Sequence, residues 1–283
     1  MSVITFVNVD RKEIAQTMSV AALASCMGIE HAYRTLIMST DFNDKTMENC
    51  FFNENKKSQA RELINQMGRK NIDVSSGMEG LVRMFASNTA SSEIIRSYTR
   101  PILNERLDLL EGPRTSDIRD YQQISTYFSN IAEYANKAYD LIFVDLNKNV
   151  PKENQEKLFS VSSVIVVGLS QTPKAIEHFT QLKQTNSFFT KSNVTMLIGK
   201  YNPESRYTAK NIARMLNEKE TPLVVPYNIA FTDNCCTGTI IDYMLSVQSL
   251  SFKNGKDGYF YEEVKKSIEA LDYLRQEVDF GMK

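Results

Sequence analysis

Side chains that could do chemistry are sparse in this 283-residue chain. Its four cysteines, Cys26, Cys50, Cys235 and Cys236, show no CxxC spacing, and only His31 and His178 could add nitrogen donors. A zinc site gathers about four such ligands at one point, so no resident metal is expected. The two histidines lie far apart in sequence, with no serine or cysteine nucleophile motif around either, which leaves acyl-transfer chemistry without its parts. The adjacent Cys235 and Cys236 read as half-buried free thiols, and the dispersed methionines as core filler rather than a binding groove. One carboxylate is placed more suggestively. Tyr139-Asp140-Leu141-Ile142-Phe143-Val144-Asp145 is an apolar run with an acid at its end.

Charge narrows the partners. Lys and Arg number 33 against 34 Asp and Glu, a net charge of −1, which gives no general attraction to DNA or anionic lipid. Lys56, Lys57, Arg61, Arg69, Lys70, Arg96 and Arg100 make the first half mildly basic, compatible with a DNA-contacting face or with a solvated helical one. Near the C-terminus, Val264, Ile268, Leu271, Leu274 and Val278 form an apolar stripe in a helix predicted over 261–280. Glu262, Glu263, Glu269, Asp272, Glu277 and Asp279 make that helix net acidic, unlike the basic amphipathic segments that lie on membranes. It is expected to pack on its own domain or on a protein partner. No apolar run approaches the roughly 18 residues of a membrane span, and Met1 runs quickly into polar residues, so no signal peptide and a cytoplasmic location are expected.

The elements that must position these groups alternate. Residues 3–8 read as a short buried strand, 13–27 as an apolar-rich helix ending near Gly28, and 35–39 as a second strand, which together suggest a βαβ crossover. The stretch 44–137 is mostly helical in pattern, with helices at 57–67 and 80–85 and one long helix over 116–138. Within it, 107–110 could be a strand closed by the turn Glu111-Gly112-Pro113. Strand patterns return at 139–145, 163–169, 194–198 and 223–226, with helices at 173–184 and 207–218. Several of these strands are apolar and β-branched throughout, as strands covered on both faces are. With no repeat and no Pro-, Gly- or Ser-rich linker, the reading is one α/β domain over 1–283, a doubly wound, mostly parallel sheet flanked by helices.

Four segments carry a more specific signal. Ile4-Thr5-Phe6 leads through Arg11 to Thr17 into Ala22-Leu23-Ala24; Leu36-Ile37-Met38 ends in Ser39-Thr40-Asp41; Tyr139-Asp140 opens a strand closing on Asp145; and Pro226-Tyr227-Asn228 precedes a helix with Gly238. In order and spacing these resemble the ParA/MinD family of P-loop ATPases, the deviant Walker A branch of the SIMIBI class. The corresponding family features are the phosphate loop with its Asn-Leu-Ala helix, the Asp-x-Asp strand end, the Tyr-Asp strand and the late Pro-Tyr-Asn segment. Leu107 to Pro113 also resembles the family's strand before its long helix. The resemblance covers nearly the whole chain and implies a P-loop NTPase-like fold.

It also implies a damaged site. A phosphate loop works because successive backbone N–H groups face the anion, with glycines permitting the turns, a lysine reaching the β/γ oxygens and a Ser or Thr holding Mg²⁺. Aligned on Ala22-Leu23-Ala24, the loop here is Arg11-Lys12-Glu13-Ile14-Ala15-Gln16-Thr17, and no glycine precedes Gly28. Gln16 stands at the lysine position and Glu13 at a glycine position. Ser39 replaces the first Asp of Asp-x-Asp, Gly199 the base-reading Asn, and Leu146-Asn147-Lys148 the family's Thr-Pro-Pro switch. The vestigial nucleotide positions are Arg11, which matches the family's additional lysine, Lys12, Gln16, Thr17, Asp41, Asp145 and Pro226. Losing one preorganised donor costs about 10²–10³ in rate, so losing the lysine, the glycines and a base together implies no substantial turnover and no catalytic residue. The expected function is a ParA/MinD-like pseudo-ATPase without cofactor, acting as a positioning, recruitment or partition scaffold with a protein partner or as a homodimer. The alternatives are an ATP/Mg²⁺ switch that dimerises around nucleotide, and a partition component that binds DNA without sequence preference.

Overall fold

The computed structural model describes residues 2–9, 15–53, 77–89, 91–250 and 255–281. The helix expected over 57–67 and the basic residues Lys56, Lys57, Arg61, Arg69 and Lys70 lie outside the described residues.

An eight-stranded sheet runs through the molecule in the order β3-β4-β2-β5-β1-β6-β7-β8. Its strands are β1 (Ser2–Asn8), β2 (Thr35–Ser39), β3 (Arg100–Leu103), β4 (Leu107–Leu110), β5 (Leu141–Leu146), β6 (Val164–Leu169), β7 (Val194–Tyr201) and β8 (Leu223–Pro226). Every neighbouring pair is parallel except β3 with β4. The antiparallel strand β3 falls where no strand was expected. Its Pro101 has no N–H to donate, which suits an edge.

Side chains alternate across the sheet. Ile4 and Phe6 of β1 enter one core, with Phe143, Leu23 and Phe260, while Val3 and Val7 enter the other, with Val144, Phe128 and Phe159. The first core is closed by α1 (Gln16–Glu30), α2 (Thr46–Phe51), α9 (Ile229–Thr237), α10 (Ile240–Val247) and α11 (Gly255–Asp279). The opposite face carries α3 (Met78–Ala86), α4 (Ile118–Ser125), α5 (Phe128–Ala135), α6 (Lys152–Val161) and α7 (Pro173–Thr185), with α8 (Ala209–Leu216) beside α7. Helix α1 is buried from Ser19 through Gly28 on every side, because it lies between the sheet and α11. Its alanines suit that place, since a helix buried all round has no polar face to present.

Three sequence expectations need correction. The long helix expected over 116–138 is two helices, α4 and α5. At the break, the N–H groups of Thr126 and Tyr127 bond back to Gln123 and Ile124, and the hydroxyls of Ser125 and Thr126 donate to the carbonyls of Gln122 and Gln123 at 2.7 Å. Bonds three residues back tighten the turn and interrupt the α ladder. The C-terminal helix begins at Gly255, earlier than expected, and α10 falls in a stretch where no element was expected.

Helix α11 packs on its own sheet, burying Phe260, Tyr261, Val264, Ile268, Leu271 and Leu274 against α1 and β8. Its acids are partly used inside the molecule: Asp272 pairs with Arg275 at 2.6 Å, and Asp279 accepts from the Ser2 hydroxyl at 2.6 Å. Ser267 of the same helix covers the edge of β8. Its hydroxyl takes the Val224 N–H and donates to the Val224 carbonyl, each at 2.9 Å, so an edge open to pairing is closed by one side chain. Gly238 ends α9 at φ +70°, and a Cβ there would lie 2.4 Å from the Asn53 nitrogen and 2.5 Å from the Phe52 carbonyl carbon. Only glycine lets α9 and the end of α2 come this close. No helix among the described residues is long and apolar enough to cross a membrane.

Candidate functional site

The C-terminal ends of β1, β2 and β5 meet the start of α1. Register places Phe6 of β1 and Ser39 of β2 on either side of Asp145, so the acid closing β5 sits between two strands, buried to 1% exposure. Helix α1 enters through Ala15 at φ 53° and ψ 43°, without a side-chain cap. A non-glycine residue in this left-handed region costs about 1 kcal/mol or more. The chain makes a turn suited to glycine there without having one.

Immediately after that turn, the Gln16 amide points back into the sheet. Its Nε2 donates to Asp145 Oδ1 at 2.5 Å, to the Leu146 carbonyl at 3.2 Å and to the Phe6 carbonyl at 3.3 Å. All three partners are acceptors, which fixes the orientation of the amide. Gln16 Oε1 and Asp145 Oδ2 are buried without a hydrogen-bond partner among the described residues. Burial raises the pKa of Asp145 above the ordinary carboxylate value, while hydrogen bonds from Gln16 and Thr17 act in the opposite direction. Desolvation prevails, as it does for an acid shut away from water without a cation.

Asp41 lies beside this pair. Burial, then the charge of Asp145, pushes its pKa up to about 8, against a hydrogen bond from Asn147. Asn147 Nδ2 reaches Asp41 Oδ1 at 3.0 Å, and Ser39 Oγ reaches Oδ2 at 3.4 Å. Thr40 ties the strand ends together, its hydroxyl donating to the Asp145 carbonyl and accepting the Asn147 N–H, both at 2.8 Å. Tyr121 of α4 donates to the Thr40 carbonyl at 2.6 Å from within the core. Glu48 of α2, buried and with its pKa also raised chiefly by desolvation, accepts the Gly112 N–H at 3.3 Å. No ion pair among the described residues reaches Asp41 or Asp145.

The structure thus gathers Gln16, Thr17, Asp41 and Asp145 from three places in the sequence. It does not bring Pro226 to them, because Pro226 ends the edge strand β8, three strands from β1. Arg11, Lys12 and Glu13 lie outside the described residues. Asn147 stands in the stretch that departs from the family's switch, yet it is a principal partner of Asp41. Ala15, Thr40, Glu48 and Tyr121 were not singled out in sequence. A threonine gives no signal that it will tie two strand ends, and Glu48 shares no motif with the acids beside it. Cys26, Cys50 and Cys235 are buried and Cys236 is exposed, all as free thiols, and no cluster among the described residues could hold a metal ion.

Solved structures with this architecture identify the fold. A ParA family ATPase from Chlorobium tepidum TLS superposes with a TM-score of 0.65 at 15% identity, over 96% of this chain and 98% of that one. The septum site-determining protein MinD of Pyrococcus horikoshii OT3, complexed with Mg-ADP, gives 0.64 at 12% identity over 98% of each chain. This chain has the ParA/MinD fold. MinD in the MinC:MinD cell division complex of Aquifex aeolicus gives 0.60 at 12% identity, over 95% of this chain and 96% of that one. No protein-family model matches the chain, and no curated protein matches it in sequence. Within this fold, Gln16 begins the helix after β1 and Asp145 lies near the end of the neighbouring strand β5.

Proposed function

We propose that this chain is a pseudo-ATPase that uses the ParA/MinD fold as a cytoplasmic scaffold, positioning or recruiting other components. The machinery served would be of the pilus, secretion, conjugation or partition kind. One observation carries this reading: the Gln16 amide, at the position of the family's lysine, is spent on Asp145 and two strand carbonyls. An amide offers no charge to a phosphate, and freeing it would take a donor from Asp145 and from those two carbonyls. The described residues do not fit a Mg²⁺-bound triphosphate. Asp41, Asp145 and Glu48 are buried carboxylates whose raised pKa values mark an environment already hostile to negative charge, and a polyphosphate would add more. Phosphoryl transfer rests on positioning and charge stabilisation, and neither is supplied by the described side chains. A scaffold needs a protein partner or a second copy, and the MinD neighbour bound to MinC shows this fold in a complex with another protein.

Isothermal titration with ATP and Mg²⁺, alongside light scattering, tests the reading. No saturable binding, and an oligomeric state unchanged by nucleotide, are expected. Micromolar binding with nucleotide-driven dimerisation would replace the scaffold with an ATP switch. A salt-sensitive shift of non-specific duplex DNA would support a partition component instead.

A further inference from the structure

On the sheet face opposite α1, between α6 and α7, lies a cavity of about 650 Å³. That size falls in the range of sites for small organic ligands, roughly 300–1,000 Å³. None of Gln16, Thr17, Asp41, Asp145 and Pro226 lines it. Its floor is apolar, made by Val7 at the end of β1 and by the buried rings of Phe159 and Phe189. Phe188 adds a half-buried wall, 5.6 Å from Phe159 between ring centroids. Its mouth is cationic. Lys148, in the turn after β5, and Lys152, at the start of α6, both border the cavity, and neither side chain makes an ion pair or hydrogen bond with the described residues. His178 of α7 adds a third basic group, and Glu156 is the acid among the described lining residues.

An apolar floor favours an apolar body, and two ammonium groups at the mouth, unpaired among the described residues, favour an anion. We infer that this cavity binds a small organic anion, an aryl or alkyl group bearing one phosphate or carboxylate, with its apolar part against Phe159 and Phe188 and its charge between Lys148 and Lys152. Carboxylate and phosphate present the same chemistry to two lysines, and the aromatic floor separates such a ligand from a bare inorganic anion. The inference does not rest on whether nucleotide binds at Gln16.

Phenyl phosphate and 3-phenylpropionate serve as probes, with phenol and inorganic phosphate as controls, titrated into the full chain and followed by amide chemical shifts. Saturable shifts at Val9, Gln155 and Phe188 are expected for one or both probes, with phenol and inorganic phosphate at least about tenfold weaker. Which probe binds tighter tells phosphate from carboxylate. The double variant K148Q/K152Q, both positions being exposed, should keep the fold and weaken binding about tenfold. Leu182→Trp, which narrows the cavity beside Phe188, should weaken binding further. Absence of saturable shifts with both probes would overturn the inference. So would controls that bind as well as the probes, or a double-lysine variant that binds undiminished.

Discussion

Gln16 Nε2 and Asp145 Oδ1 lie 2.5 Å apart although 129 residues separate them in sequence. The contact joins the first turn of α1 to the end of the central strand β5, and it holds in place the groups that resemble a nucleotide site. A position that resembles a ligand-binding lysine has become part of the protein's own hydrogen bonding.

That relationship predicts a cost for removing the amide. Gln16→Ala removes one buried donor from Asp145 and from the Phe6 and Leu146 carbonyls. A buried acceptor left unpaired costs about 1–3 kcal/mol, so the urea midpoint should fall by a corresponding amount with the m-value unchanged. Gln16→Lys places a cation beside Asp145 and should lower that carboxyl's pKa. An Asp145 resonance unmoved in a pH titration of this variant would show that the side chain points elsewhere.

The acids predict an unusual pH dependence. Asp41 titrates near 8 in the folded protein, above its ordinary value of 3.8, so between those values the native state holds a proton that the unfolded chain has released. Stability is therefore fully present below the unfolded pKa, declines as pH rises, and has lost this contribution above about pH 8. Asp145 and Glu48 are shifted in the same direction. The slope for one such proton is at most about 1.4 kcal/mol per pH unit. Asp41→Asn keeps an acceptor for Asn147 and should flatten the slope measured by urea unfolding between pH 5 and 8. Stability that instead rises across this interval would contradict the assignment.

Ser267 gives a prediction at the sheet edge. Ser267→Ala leaves both the N–H and the carbonyl of Val224 unpaired inside the α11 contact. The expected loss is about 1–3 kcal/mol, and hydrogen exchange at the Val224 amide should accelerate more than at amides of β5. Unchanged exchange at Val224 would mean that another group covers the edge.

Gly238 admits no side chain. Gly238→Ala combines a positive φ with contacts under 3.0 Å to the backbone of Phe52 and Asn53, so α9 and α2 must separate. Destabilisation well beyond the roughly 1 kcal/mol of an ordinary surface change is expected, read as loss of soluble yield or a large drop in melting temperature. A melting temperature within a few degrees of the parent would show that the two segments can move apart at little cost.

What the sequence determined by itself was the layered α/β fold with its mostly parallel sheet. Periodicity and burial are local properties: Leu36-Ile37-Met38 and Val164 to Leu169 read as strands because both of their faces are apolar, and the helix carrying Ala22-Leu23-Ala24 reads as buried because it lacks a polar side. The resemblance of motifs also grouped Gln16, Thr17, Asp41 and Asp145 as vestigial site positions, along with Pro226, which the structure leaves three strands from β1. Only the tertiary structure decided what these groups do to one another. The Gln16 amide finds Asp145 because β1 and β5 are neighbours, a fact of strand order that no local pattern contains. The partnership of Asn147 with Asp41, the break between α4 and α5, and the Ser267 cover of β8 depend likewise on side-chain hydrogen bonds whose partners emerge only on packing. The raised pKa of Asp41 depends on that packing too, since burial supplies its largest cause and the sequence shows only an aspartate after a strand.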